Sequence, residues 1–93
     1  MTKGGKRVRV LVVDDHQVIA DTLASILRGS GYEATTAYSG EQAVEMAIAS
    51  NTDVLITDVV MGGISGIEAA VRILRNRPAC KIIRFSCSSS EPR

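Results

Sequence analysis

Val8-Arg9-Val10-Leu11-Val12-Val13-Asp14-Asp15 runs from an almost unbroken β-branched and aliphatic segment straight into a pair of acids. A strand that is apolar on both faces is covered on both faces, which is the habit of a parallel sheet rather than a solvated antiparallel one. A second short apolar segment, Val54-Leu55-Ile56-Thr57, ends in Asp58 in the same way. Asp is also a favoured turn and helix-cap residue, and either acidic end alone could be read so. Together they favour a site. If the two strands lie side by side and parallel, Asp14, Asp15 and Asp58 converge at one edge of the sheet. Three carboxylates there make a hard-oxygen site suited to Mg²⁺, with one carboxylate left to react.

The rest of the chain alternates between the two periods. After the acid pair, Ile19, Leu23, Ile26 and Leu27 form one stripe of a helix, with Asp21, Ser25 and Arg28 on the other side. Gly29-Ser30-Gly31 stops it. A weaker strand spans Tyr32 to Ala37, and a second helix carries Ala43, Val44, Ala47 and Ile48 before running out near Ser50-Asn51. Asp58 is followed by a loop containing Gly62, Gly63 and Gly66; Ile67, Val71 and Leu74 then mark a third helix that ends before Pro78. Lys81 to Phe85 reads as the fourth strand. Strands alternating with helices of this length imply right-handed βαβ units in an α/β fold.

Composition narrows the classes. The chain has 93 residues, 45% of them apolar, which suits one domain with one core. A net charge of +1 gives no general pull toward nucleic acid or an anionic membrane. Lys3, Lys6, Arg7 and Arg9 read as a solvated basic lead-in, not a binding patch. No apolar run approaches the ~20 residues of a membrane span, and no secretory signal is present, so the expected location is the cytoplasm. Cys80 and Cys87 bracket the fourth strand with their α-carbons roughly 20 Å apart, too far for a disulfide, and are expected to be reduced thiols.

Three segments taken in order and register carry a resemblance: Val10-Leu11-Val12-Val13-Asp14-Asp15-His16, Asp58-Val59-Val60-Met61-Gly62-Gly63-Ile64-Ser65-Gly66, and Ile83-Arg84-Phe85-Ser86-Cys87. The chain resembles the receiver domain of two-component response regulators over residues 7–87. The specific part is the combination of the acid pair, a strand-ending Asp with Met three residues on and Gly eight on, and a Ser closing the next strand. The resemblance implies a flavodoxin-like, doubly wound parallel sheet of order 2-1-3-4, with the site at the switch between strands 1 and 3. It makes Asp58 the phosphoacceptor, attacking the phosphohistidine of a sensor histidine kinase or a small acyl phosphate. Asp15 then matches the direct Mg²⁺ ligand, Asp14 the ligand acting through water, the main-chain carbonyl of Val60 the backbone ligand, and Ser86 the switch hydroxyl that contacts the phosphoryl group.

Two departures qualify the resemblance. Gly62 stands where the family commonly has proline. The family also continues with a fourth helix, a fifth strand ending in lysine and a fifth helix, and residues 88–93 read instead as a disordered polar tail, so the domain is expected to be incomplete. Lys81 opens the fourth strand and therefore lies at the wrong end of the sheet to stand in for that lysine. The leading expectation is a phosphoacceptor receiver that catalyses only its own phosphorylation and dephosphorylation. The alternative, of a different class, is a non-signalling interaction module that sequesters a kinase or associates through its open fourth-strand edge. A mononucleotide-binding half of a larger enzyme is disfavoured, because no glycine-rich turn follows the first strand and Gly62, Gly63 and Gly66 lack phosphate-loop spacing. His16 reads as an exposed first-turn helix residue, neither phosphodonor nor metal ligand.

Overall fold

The computed structural model describes residues 2–3, 6–58 and 66–85. Val60, Ser86 and the tail 88–93 fall outside the described residues. The elements alternate as the sequence predicts: β1 (Arg9–Val13), α1 (Gln17–Gly29), β2 (Glu33–Ala37), α2 (Gly40–Ala49), β3 (Val54–Asp58), α3 (Gly66–Asn76) and β4 (Lys81–Phe85). All pairings among the four strands are parallel, in the order β2-β1-β3-β4. This is the flavodoxin-like topology expected from the resemblance. Thr2–Lys3 and Lys6–Arg7 pair antiparallel ahead of β1, so part of the basic lead-in forms a short two-stranded ladder.

Alternation along β1 divides the core in two. Leu11 and Val13 face one way and, with Leu55, meet Ala37, Ala43, Ala47, Ala70, Ile73 and Cys80. Val10 and Val12 face the other way and meet Ala20, Ala24 and Ala34. Thus α1 covers one face of the sheet, while α2 and α3 cover the opposite one.

Helix ends are set by specific backbone closures. Gly31 takes φ 99°, which lets the Gly31 and Tyr32 amides donate to the Arg28 and Leu27 carbonyls. That is a Schellman closure, and it needs a residue tolerant of positive φ. Asn51, at φ 53°, does the same after α2, where the Thr52 amide reaches the Ala47 carbonyl. At the start of α2 the Ser39 hydroxyl accepts from the Gln42 amide.

The helical faces agree with the sequence in part: Leu23 and Leu27 of α1 and Ala43, Val44 and Ala47 of α2 pack against the core, while Ile26, Ile48 and the α3 stripe do not. Ile26 is 60% exposed, and the buried positions of α1 are Ala20 and Ala24. Ile48 is also exposed, while Ala43 and Ala47 are buried. In α3 the expected stripe Ile67, Val71 and Leu74 faces solvent, and Ala69, Ala70 and Ile73 pack inward. Small side chains let a helix backbone sit close to the sheet, so alanines occupy much of the contact, joined in α3 by Ile73. Close approach, not side-chain size, selects the face.

Candidate functional site

Register creates the site. Val13 is paired with Thr57, so the next residues along each strand, Asp14 and Asp58, stand level at the same end of the sheet. Asp15 follows at once. The Asp14 amide donates to the Ala37 carbonyl of β2, which holds the end of β1 in the sheet. Thr57, fully buried beside Val13, donates its hydroxyl to the Asp58 carbonyl.

Asp14 is fully buried and Asp58 nearly so, at 0% and 4% exposure, whereas Asp15 keeps its carboxylate partly in solvent. Burying carboxylates is costly unless they are hydrogen-bonded, and Asp14 is held by the amide and ring of His16. One carboxylate oxygen each from Asp14, Asp15 and Asp58, together with a ring nitrogen of His16, lie within 4.8 Å of one another. Oxygen donors of this kind, two sheltered and one open to solvent, fit the requirements of Mg²⁺, which retains several waters and takes one or two protein carboxylates.

His16 contributes more than the sequence suggests. It is the N-cap of α1, and its own side chain makes no capping bond. Its amide donates to Asp14 Oδ1 at 2.9 Å, an Asx turn that folds residue 16 back over residue 14. As a result the ring, 66% exposed, brings Nδ1 to 3.1 Å from Asp14 Oδ1 and 3.2 Å from Asp15 Oδ1. The hydrogen bond to Asp14, then the charge of Asp15, raise the imidazole pKa above its ordinary 6.5. The exposure expected for His16 is present. Its contact with both acids was missed, and the Asp-x-His spacing just ahead of a helix was the available signal.

Titration of the ring tests this arrangement. In the absence of divalent cations, the single histidine should show an NMR midpoint above 6.5, and Asp14→Asn should bring it down. Because the folded-state value is the raised one, protonated His16 stabilises the fold fully below pH 6.5, and this contribution fades as pH rises through the folded midpoint. A midpoint at or below 6.5 in the folded protein would remove the contact from consideration.

Lys81 is paired with Val54, at the start of β3, while Phe85 is paired with Asp58. At ~3.3 Å per residue, Lys81 sits roughly 13 Å from the acidic end along the strand. It belongs to the opposite end of the sheet, as the sequence predicts.

Comparison with known proteins agrees with this geometry. The family described as "Response regulator receiver domain" matches residues 10–93. Response regulator GacA of Pseudomonas viridiflava is 34% identical over 87 residues, which is 91% of this chain and 41% of that protein. The chain spans less than half the length of the curated relatives it matches. Among solved structures, response regulator protein TrrA of Thermotoga maritima in complex with Mg(2+)-BeF is 40% identical, with a TM-score of 0.81 over 88% of this chain and 71% of that one. TrrA in complex with the histidine kinase ThkA is 38% identical, with a TM-score of 0.79 over 92% and 74% of the respective chains. Among the described residues no helix is long and apolar enough to cross a membrane. With an acid cluster at the β1 and β3 ends of a β2-β1-β3-β4 parallel sheet, and a family match across nearly its whole length, the chain belongs to the response regulator receiver domain family of two-component signalling.

Proposed function

We propose that the chain is a phosphoacceptor whose Asp58 takes a phosphoryl group from a sensor histidine kinase in the cytoplasm. The observation that carries this reading is the convergence of Asp14, Asp15 and Asp58, two of them buried, at one end of the sheet. A carboxylate oxygen of Asp58 attacks phosphorus, the P–N bond of phosphohistidine breaks, and the imidazole keeps its electron pair and takes up a proton. The product is an acyl phosphate on Asp58. Asp14, Asp15, Asp58 and the carbonyl of Val60 would hold Mg²⁺, and Ser86 would contact the transferred group. Bound Mg²⁺ supplies positive charge that offsets the repulsion between an anionic nucleophile and an anionic phosphoryl group. Asp58 sits at a strand end fixed by pairing to β1 and β4, which holds the nucleophile in place without reorganisation.

The test is chemical. Incubation with a small acyl phosphate and Mg²⁺, followed by borohydride trapping and mass mapping, should modify Asp58 and leave Asp58→Asn unmodified. Modification at another residue, or equal labelling of Asp58→Asn, sinks the assignment.

A second reading concerns assembly. Among the described residues β4 is paired on one side only. Beside it Val18, Ile19, Thr22, Leu23 and Phe85 line an apolar groove, with Val18 and Ile83 largely exposed. These features support association of two copies across the β4 edge. Asp58 labelling separates this from the first reading, since an interaction module that does not signal would not be modified.

A further inference from the structure

α3 leaves an apolar stripe in the open. Ile67, Val71 and Leu74 follow at i, i+4 and i+7 and are 47%, 45% and 37% exposed, while Ala69, Ala70 and Ile73 pack inward. One flank of the helix lies against α2. The stripe is exposed and so lies on the other flank, which a right-handed β3-α3-β4 crossover turns toward the outer side of β4. Among the described residues that strand is paired on one side only. Ile82 of β4 packs on the same face of the sheet as α3. The unpaired strand edge and the uncovered helix flank therefore border one surface.

Spacing and charge decide what fits there. Two copies pairing β4 edge to edge about a two-fold axis keep like faces together, so their α3 helices run side by side and antiparallel. A crossover helix sits over the gap between its two strands, about one strand spacing from that axis, which sets the two helix axes about 10 Å apart. Helices in contact lie roughly 8–10 Å apart. Sheet twist over two strand spacings, about −45°, is close to the crossing angle at which i±4 ridges interlock, and Ile67-Val71-Arg75 is such a ridge. α3 and β4 span about 15 Å and 13 Å along the same stretch of sheet, so their midpoints, Val71 and Ile83, stand level. Glu68 lies just under a turn before Val71 and Arg75 just over a turn after it. Inversion therefore brings Glu68 of one copy level with Arg75 of the other, at both ends of the contact. Arg72 already donates to Glu68 Oε2 at 2.8 Å, and a carboxylate accepts from two guanidinium groups at once.

We propose that a second copy of this chain covers this face, through an antiparallel α3–α3 contact built on Ile67, Val71 and Leu74 and keyed by two Glu68–Arg75 pairs. The proposal rests on the reading of the β4 edge as a meeting surface and goes further, by assigning the helical layer and the charges that set its register.

Sedimentation equilibrium of the 93-residue chain over a concentration series reads the dimer constant, with far-UV circular dichroism as the check on folding. Val71→Lys should weaken the dimer by at least about tenfold, from the lost half-burial of a valine in each copy. Glu68→Arg and Arg75→Glu should each weaken it by about fivefold, since each turns two attractions into repulsions. The double variant carries the parent's net charge and should return to within about twofold of the parent. Neither a damaged fold nor an altered net charge produces that recovery. Single variants that weaken the dimer with no recovery in the double variant overturn the Glu68–Arg75 register. A dimer constant unchanged by all the α3 variants but lowered by Ile83→Lys overturns the helical contact and leaves the β4 edge standing. A parent that is monomeric throughout overturns both.

Discussion

Leu55→Ala should lower the unfolding free energy by about 3 kcal/mol, within the usual range for a buried leucine truncated to alanine. Leu55 is fully buried in β3 and belongs to the cluster shared by the sheet, α2 and α3. Its neighbours there include Ala37, Ala43, Ala47 and Ala70, which have no length to spare for filling a void. Among the described residues few large side chains are fully buried, with Leu11, Leu55 and Ile73 the largest. Removing one therefore takes out a sizeable share of the cluster's packing, and the cavity should persist rather than collapse. For a domain of this size a loss of about 3 kcal/mol moves the thermal midpoint by on the order of 10–20 °C. Urea titration measures it, with Val18→Ala as the matched control, since Val18 is 78% exposed and should shift stability by less than about 0.5 kcal/mol. Equal effects from the two substitutions would show that the alanine-lined layer is not the packed core described.

The contrast between those two residues also explains what the sequence could and could not disclose. β1 and β3 were legible because a covered parallel strand leaves a short, continuous apolar run, β2 gave a weaker signal, and β4 was placed at its observed limits from Lys81 to Phe85. Convergence of Asp14 and Asp58 followed from that, because parallel neighbours in register carry their ends to one edge. The helical faces were less legible. In α3 two stripes compete, one of Ile67, Val71 and Leu74 and one of Ala69, Ala70 and Ile73, and bulk hydrophobicity favours the wrong one. Which stripe faces the sheet depends on how closely the helix approaches, a tertiary quantity that no local period records. His16 was hidden for a related reason. Its ring reaches the acids through a turn made by the Asp14 carboxylate, and single-residue reading sees only a polar residue ahead of a helix.

The parent chain should self-associate, and Ile83→Lys should weaken that association on the order of a hundredfold. Among the described residues β4 presents unpaired backbone groups along its outer side, a template for another strand. A two-fold antiparallel pairing centred on Ile83 would set Lys81 opposite Phe85 and Ile82 opposite Arg84 of the second copy, so no like charges face one another. Ile83, 52% exposed, would meet its own symmetry mate on the face of the sheet covered by α1. That face also carries the groove of Val18, Ile19, Leu23 and Phe85, so the new contact would extend an apolar surface already present. Completing the burial of one isoleucine in each copy contributes roughly 3 kcal/mol in total, about two factors of ten in the dimer constant. Lysine at the two-fold instead opposes two ammonium groups directly, which is destabilising across a strand pair. Light scattering coupled to size exclusion, over a concentration series, reads the result. A parent that stays monomeric throughout, or a lysine variant that associates as strongly as the parent, would show that the β4 edge is not where two copies meet.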